Sequence, residues 1–283
     1  MALRRRTHAD SVRAWDFDEI LIEHYRYAPG PAGAMAPHAH PEYQLSISPD
    51  TPGEYAYRRA RHAVPVRSIS MLHPHEPHAA RDIAPRERSA EFWMLYLSPA
   101  LVKRVADGGA PFFREAVFTD QPLFSRLAAL PHQLIQSSSR LSRDIHTESA
   151  LRILFGHAGL RSAGTSTPVS TRRLERIRER LEDEPGNPSL AELARETDLS
   201  TWHFCRAFRA RFGEPPHAYL LHARVRRAKR LLAAGRPLTE VALQCGFGDQ
   251  SHFTRHFRRL TDVTPGRYLR GEPALAPPRP PPA

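Results

Sequence analysis

Arg206 and Arg255 stand 49 positions apart within matching local sequences. An arginine on an exposed helix face presents a planar fork of donors that pairs bidentately with guanine O6 and N7, worth about 1 to 3 kcal/mol of discrimination against a wrong base. A second chemically capable group lies near the other end of the chain, where His38, His40, Glu42 and Gln44 alternate and His78 follows. Imidazoles with a carboxylate are ligand types for iron, manganese or zinc, and the same side chains line small-molecule pockets. Side chains of an extended strand alternate between its faces, so this spacing puts His38, His40, Glu42 and Gln44 on one face.

The elements that must position the arginines occur twice. SLAELARETDLSTWHFCRAFRARFGEPPHAYL begins at Ser189 and PLTEVALQCGFGDQSHFTRHFRRLTDVTPGRYL at Pro237. Leu190, Glu192, Leu193, Ala194 and Leu199 match Leu238, Glu240, Val241, Ala242 and Phe247 at a spacing of 48. After one extra turn residue, Phe204, Arg206, Phe208, Arg209, Pro216 and Tyr219 match Phe253, Arg255, Phe257, Arg258, Pro265 and Tyr268 at 49.

In the first copy Ser189 and Glu192 form a capping box that starts a helix at Leu190, whose inward stripe is Leu190, Leu193 and Ala194. Ser200 caps the next helix, and Phe204, Phe208 and Phe212 face inward at i, i+4 and i+8. Thr201, Trp202, Cys205, Arg206 and Arg209 are left on the outer side. In the second copy Gly246 suits a left-handed helix end, Asp249 suits an N-cap, and Phe253 and Phe257 face inward. Gln250, Ser251, Thr254, Arg255 and Arg258 face out. Residues 217–234, free of Gly and Pro, predict a helical strut of about 27 Å at about 1.5 Å per residue. That is near the ~34 Å repeat of one face of a duplex, so one chain reads two successive major-groove segments. Arg224, Arg226, Arg227, Lys229 and Arg230 on the strut are either phosphate contacts or solvated charges.

The formal net charge is +11, and it is uneven: residues 171–270 carry 20 Arg and Lys against 12 Asp and Glu. A basic segment coinciding with the repeat is what a polyanion partner requires. Two cysteines, Cys205 and Cys245, exclude a disulfide framework or a zinc finger. The N-terminal stretch MALRRRTHADSVRAW has no apolar run of the signal-peptide kind, and no stretch approaches 18 uninterrupted apolar residues, so a soluble cytoplasmic protein without a membrane partner is expected.

Residues 17–98 show short alternating runs, with strands expected at 20–25, 43–48, 54–59, 68–73 and 91–97. From 100 to 160 the period becomes helical, giving two or three helices that trail the sheet. Residues 161–170 read as a linker and the proline-rich 271–283 as a disordered tail.

The segment Ala242 to Arg259, with Val263, Thr264, Pro265 and Tyr268 after it, resembles the DNA-binding domain of AraC/XylS-type bacterial transcription regulators over about 100 residues. The resemblance implies that Trp202, Arg206, Gln250 and Arg255 sit where family members contact an operator. Cys205 departs from a commonly longer polar residue, and Pro237 from a common capping Ser. PHAHPEYQLSIS (37–48) and HPHEPHA (73–79) are similar to the cupin-like sensor domain of such regulators. The order of Glu after the second His departs from metal-binding cupins, and Pro41 interrupts the strand.

The expectation is therefore an α+β chain: a cupin-like β-barrel (about 15–98) with trailing helices (about 100–160) in a 1–165 sensor unit, then an all-α double helix-turn-helix unit at 171–270. Its expected function is a sequence-specific, effector-responsive transcription regulator, an activator rather than a repressor and not an enzyme. The alternative is a metal-dependent cupin enzyme with an accessory DNA-binding domain. DNA contacts are expected from Thr201, Trp202, Cys205, Arg206, Arg209, Gln250, Ser251, Thr254, Arg255 and Arg258. Effector contacts are expected from His38, His40, Glu42, Gln44, His78 and Trp93, with Glu54, Tyr55, Arg58 and Tyr96 as further lining or plain core. No cofactor or metal is expected, His38, His40, Glu42 and His78 being the candidate ligands if one binds. The partners are an operator duplex, a small-molecule effector, a second copy of the chain paired through helices in 123–160, and RNA polymerase if the protein activates.

Overall fold

β-branched and aromatic residues alternate with polar ones through the first hundred positions, and the computed structural model, which describes residues 11–109, 111–160, 169–183 and 186–270, turns them into strands. These are β1 (Ser11–Asp16), β2 (Ile20–Tyr27), β3 (Tyr43–Ser48), β4 (Gly53–Tyr57), β5 (Ala60–Val64), β6 (Ser68–Leu72), β7 (His78–Asp82) and β8 (Ala90–Leu97). Helix α1 (Pro99–Val105), the short strands β9 (Pro111–Phe112) and β10 (Val117–Phe118), helices α2 (Gln121–Gln136) and α3 (Arg140–Phe155), and strand β11 (Gly159–Leu160) follow. The five expected strands are present. β1, β5 and β7 go beyond the expectation, as do the two-residue β9, β10 and β11 within the stretch expected to be helical; each is held by a partner, as β1 is by β2 from Ser11↔Arg26 to Asp16↔Leu21.

The larger sheet has the order β1-β2-β8-β3-β6-β10 and the smaller β5-β4-β7. One face of the larger sheet presents Ile22, Leu45, Ile47, Ile69, Met71 and Leu95 to Leu127, Leu130, Leu151 and Leu154 of α2 and α3, all fully or almost fully buried. Each such side chain contributes about 1.5 to 3 kcal/mol on burial. Ser98, Asp120 and Ser139 cap the three helices with side-chain acceptors. The opposite face carries Glu23, Gln44, Ser46 and Tyr96.

Seven helices complete the described chain: α4 (Val169–Asp183), α5 (Leu190–Arg195), α6 (Thr201–Phe212), α7 (Pro216–Ala233), α8 (Leu238–Gln244), α9 (Gln250–Thr261) and α10 (Pro265–Arg270). Residues 161–168 of the expected linker and the tail 271–283 lie outside the described residues, and 169–170 already belong to α4. The capping box at Ser189 forms, with Glu192 accepting from the Ser189 amide at 2.7 Å. Ser200 and Asp249 cap α6 and α9, whereas Pro237 gives α8 no side-chain cap. Phe204, Phe208 and Phe212 are wholly buried with Leu174, Ile177 and Leu181 of α4, a helix absent from the sequence expectation. Leu190 is 41% exposed, so the inward stripe of α5 reduces to Leu193 and Ala194.

The core under α8 and α9 does not end within the helices. Leu221, Val225, Ala228 and Leu232 of α7 and Tyr268 of α10 pack with Val12 of β1, Tyr25 of β2 and Met94 of β8. The long helix is therefore both the strut between the two helix-turn-helix units and their seat on the sheet.

Candidate nucleic-acid interface and effector pocket

Because α6 and α9 bury their phenylalanines, their other sides face outward. Thr201, Trp202, Arg206 and Arg209 are exposed on α6, with Cys205 half-buried; Gln250, Ser251, Arg255 and Arg258 are exposed on α9, with Thr254 half-buried. Trp202 is 61% exposed, and the Arg206 guanidinium lies 5.4 Å from its ring centre. A cation-π contact of this kind orders the guanidinium over the neighbouring ring. The left-handed residues that end the two helices are Gly213 (φ 84) and Asp262 (φ 65). The elements seated on the sheet are α7 and α10; the outer sides of α6 and α9 remain open.

The basic residues of α7 divide differently from either sequence reading. Lys229 lies 3.0 Å from Glu23, and Arg230 reaches Asp16 at 3.2 Å and Glu42 at 3.3 Å. Arg226 donates to the Ala39 carbonyl, and Arg224 to that of Gly186. Only Arg227 of the five is exposed, and it donates to the Asp183 carbonyl. The face of α7 bearing His222, Val225, Arg226 and Lys229 at i, i+3, i+4 and i+7 is an interdomain face.

Between that face and the sheet lies a cavity of about 220 Å³, lined by Tyr25, Phe92, Met94 and Tyr96 on one side and by Arg226 and Lys229 on the other. His38, His40 and Glu42 line one end of it. Gln44 is buried just behind, 3.0 Å from His40 Nε2, and donates to Ser46 Oγ. Trp93 is not brought to this cavity. It points to the helix-covered face, stacked on His24 at 4.0 Å and edge-on to His132 at 5.0 Å, while its neighbours Phe92 and Met94 face the cavity. Glu54 and Tyr55 line the cavity, while Arg58 is engaged with Glu76 and His73.

Three of the four candidate ligands converge. His38 and His78 exchange both backbone hydrogen bonds at 3.0 Å, an isolated bridge that sets their side chains side by side. With His40 they offer ring nitrogens all within 4.8 Å of one another. Residues 37–42 form no continuous strand, as Pro41 dictates. Glu42 is not in the group; its Oε1 takes Arg230, and its Oε2 lies 3.8 Å from His40 Nδ1. Burial, and next the neighbouring His78, hold His38 and His40 well below the usual imidazole range. Burial also lowers His78 to about 4. These rings are neutral at physiological pH, the state in which imidazole binds cations.

A buried sheet surface with a small-molecule cavity, joined to paired helix-turn-helix units with open outer faces, defines a ligand-binding, DNA-reading class of protein. A profile of the AraC-like ligand binding domain matches residues 23–155, and one of a helix-turn-helix domain matches 193–271. The chain belongs to the AraC-type family of transcriptional regulators.

It is 24% identical over 250 residues to the uncharacterized HTH-type transcriptional regulator YbfI of Bacillus subtilis, covering 86% of this chain and 90% of that one. It is 42% identical over 81 residues to the probable transcriptional regulator LumQ of Photobacterium leiognathi, covering 28% of this chain and 33% of LumQ. For the activator RhaS of Klebsiella pneumoniae the match is 34% over 85 residues, 30% of this chain and 31% of RhaS. The chain thus spans about a third of the length of these last two relatives. Among solved structures, ToxT of Vibrio cholerae shares the fold at a TM-score of 0.63 and 12% identity, covering 90% of this chain and 98% of that one. Another ToxT structure contains an unsaturated fatty acid. The matched domains are those of transcription regulators rather than enzymes. Among the described residues no helix is long and apolar enough to cross a membrane.

Proposed function

We propose that this chain is an effector-responsive activator that reads two successive major-groove segments of an operator, with Arg206 on α6 and Arg255 on α9 making equivalent base contacts. The observation that carries this reading is the pair of open recognition faces at matching positions of a repeat, joined by one uninterrupted 18-residue helix. The other contacts come from Thr201, Trp202, Cys205, Arg209, Gln250, Ser251, Thr254 and Arg258, Cys205 contributing packing rather than a base hydrogen bond. The sensor unit comprises residues 1–165 and the reader 171–270, and the protein acts in the cytoplasm.

The effector binds between sensor and reader. Aromatic walls opposite Arg226 and Lys229 favour a small anion with an apolar body, a chemistry shared by the fatty acid bound to the fold neighbour ToxT. Such a ligand competes with Glu23 for Lys229 and so biases how α7 sits on the sheet, which gives it the differential affinity that any switch requires. A second copy pairs through α3, where Leu141 and Ile145 are 70% and 58% exposed one turn apart. Activation follows from contact between the operator-bound dimer and RNA polymerase.

Gel shifts against the chain's own promoter region test the reading. Arg206→Ala and Arg255→Ala each lose about 1 to 3 kcal/mol of discrimination between operator and random DNA. Arg227→Ala weakens both alike. Wild-type discrimination in both recognition-helix variants would overturn the assignment.

A further inference from the structure

The histidine group described above has a fourth member that belongs to the reader. His222 of α7 stands edge-on to His38, with ring centres 6.1 Å apart. Within the sensor the His38–His78, His40–His78 and His38–His40 ring centres are 4.4, 4.9 and 6.0 Å apart. Four imidazoles bound tetrahedrally to one ion at about 2.0 to 2.1 Å have ring centres roughly 5 Å apart. The three sensor spacings bracket that value, and His222 lies about 1 Å outside it, so His222 moves inward to complete the set.

The three sensor rings are oriented from behind. Nδ1 of His38 meets the Ala36 carbonyl at 3.1 Å, Nδ1 of His40 that of Glu42 at 2.9 Å, and Nδ1 of His78 that of Glu76 at 3.0 Å. Nδ1 of His222 lies 2.6 Å from a carboxylate oxygen of the buried Glu214. For His38 and His78 the oxygen behind Nδ1 sets the tautomer that leaves Nε2 as the coordinating atom, the usual arrangement around protein-bound metals. His40 Nε2 lies 3.0 Å from Gln44 Oε1 and exchanges that contact for the ion, and His222 Nδ1, though close to Glu214, makes no hydrogen bond to it. Nε2 of His78 is fully buried, on a residue only 2% exposed, and has no hydrogen-bond partner. An orphaned buried acceptor of that kind is costly unless something occupies it.

We propose that His38, His40, His78 and His222 bind a divalent transition-metal ion of the zinc class, which clamps the reader's long helix to the sensor. An all-imidazole donor set suits Zn²⁺ and Co²⁺ and disfavours Mg²⁺ and Ca²⁺, which take oxygen ligands. The contacts that flank the group already draw the same two units together: Arg226 donates to the Ala39 carbonyl at 3.2 Å, and Arg178 of α4 lies 2.7 Å from His75 Nε2. The regulatory consequence, that occupancy shifts operator affinity, rests on the reading of the chain as a DNA-binding regulator; the coordination does not.

The test uses the full-length chain stripped with chelator and titrated with Zn²⁺ or Co²⁺. Wild type is expected to take up one ion per chain, with Co²⁺ giving the intense visible bands of tetrahedral coordination. His78→Gln and His38→Gln abolish uptake. His222→Gln, at a half-buried position, keeps an ion but binds it at least about tenfold more weakly and with altered Co²⁺ bands. No uptake by folded wild type, or uptake unaffected by His78→Gln, overturns the site. Affinity and bands unchanged in His222→Gln overturn the clamp. Operator affinity is expected to shift about fivefold or more on metal loading of wild type and not of His222→Gln. Normal coordination with no such shift overturns only the regulatory consequence. Failure of metal-free wild type to prefer operator over random DNA overturns the regulator reading instead.

Discussion

Lys229 of α7 holds its ammonium 3.0 Å from both carboxylate oxygens of Glu23 on β2, a residue with no exposed surface. Tyr25 and Tyr268 each donate to the same carboxylate at 2.6 Å, so one sensor residue gathers groups from β2, α7 and α10. Burial, and next the Glu23 charge, push both tyrosine hydroxyls well above their usual range, which keeps them as donors at any physiological pH.

Removal of Lys229 leaves that carboxylate buried with only hydroxyl partners. Lys229→Met is expected to destabilise the chain by about 3 kcal/mol, the lower end of the cost of breaking a buried pair. Adding Glu23→Gln recovers part of the loss, with a coupling of about 1 to 3 kcal/mol. Urea denaturation of the two single variants and the double variant measures this, and strict additivity would contradict it.

Acidification strains the same interface. Burial, then Arg178 and Arg226, lower His75 to about 3 against an ordinary value of 6.5. Between those values the unfolded chain binds a proton that the folded chain refuses. The contribution of His75 is therefore complete above about pH 6.5 and declines as pH falls toward 3, by up to about 1.4 kcal/mol per pH unit. Thermal unfolding in chelator-containing buffer from about pH 7.5 to about pH 4.5, a window that runs from the plateau into that decline, should show it, shallower in His75→Gln. An identical slope in the variant would exclude His75 as its source.

The two helix-turn-helix units differ at their first caps. Ser189→Ala removes an acceptor from the Glu192 amide at 3.2 Å and is expected to cost about 1 kcal/mol. Pro237→Ser supplies the side-chain cap that α8 lacks and gains up to about 1 kcal/mol. Melting temperatures that move in the same direction for both would contradict the assignment.

The reader is legible in the sequence because its signals are local. Ser189, Ser200, Asp249 and phenylalanines at i, i+4 and i+8 specify helix starts and inner faces within a few residues of themselves. In the sensor, residue type alone points to His38, His40 and His78, and a backbone bridge between segments 40 positions apart brings them together. Trp93 falls on the face opposite to the expected one because both faces of its sheet are covered, and alternation gives the phase of a strand but not which side holds the cavity. Lys229 and Arg230 read as either phosphate contacts or solvated charges, and no local pattern singles out His222. Their partners Glu23, Asp16 and His38 lie about two hundred positions away, a distance that no local pattern encodes.

Hydroxyl-radical footprinting of the full-length chain on its operator tests the central claim most directly. Two protected segments per chain, one helical turn apart on one face of the duplex, are expected, the first lost in Arg206→Ala and the second in Arg255→Ala. A single protected segment per chain, or protection that neither variant alters, would contradict it.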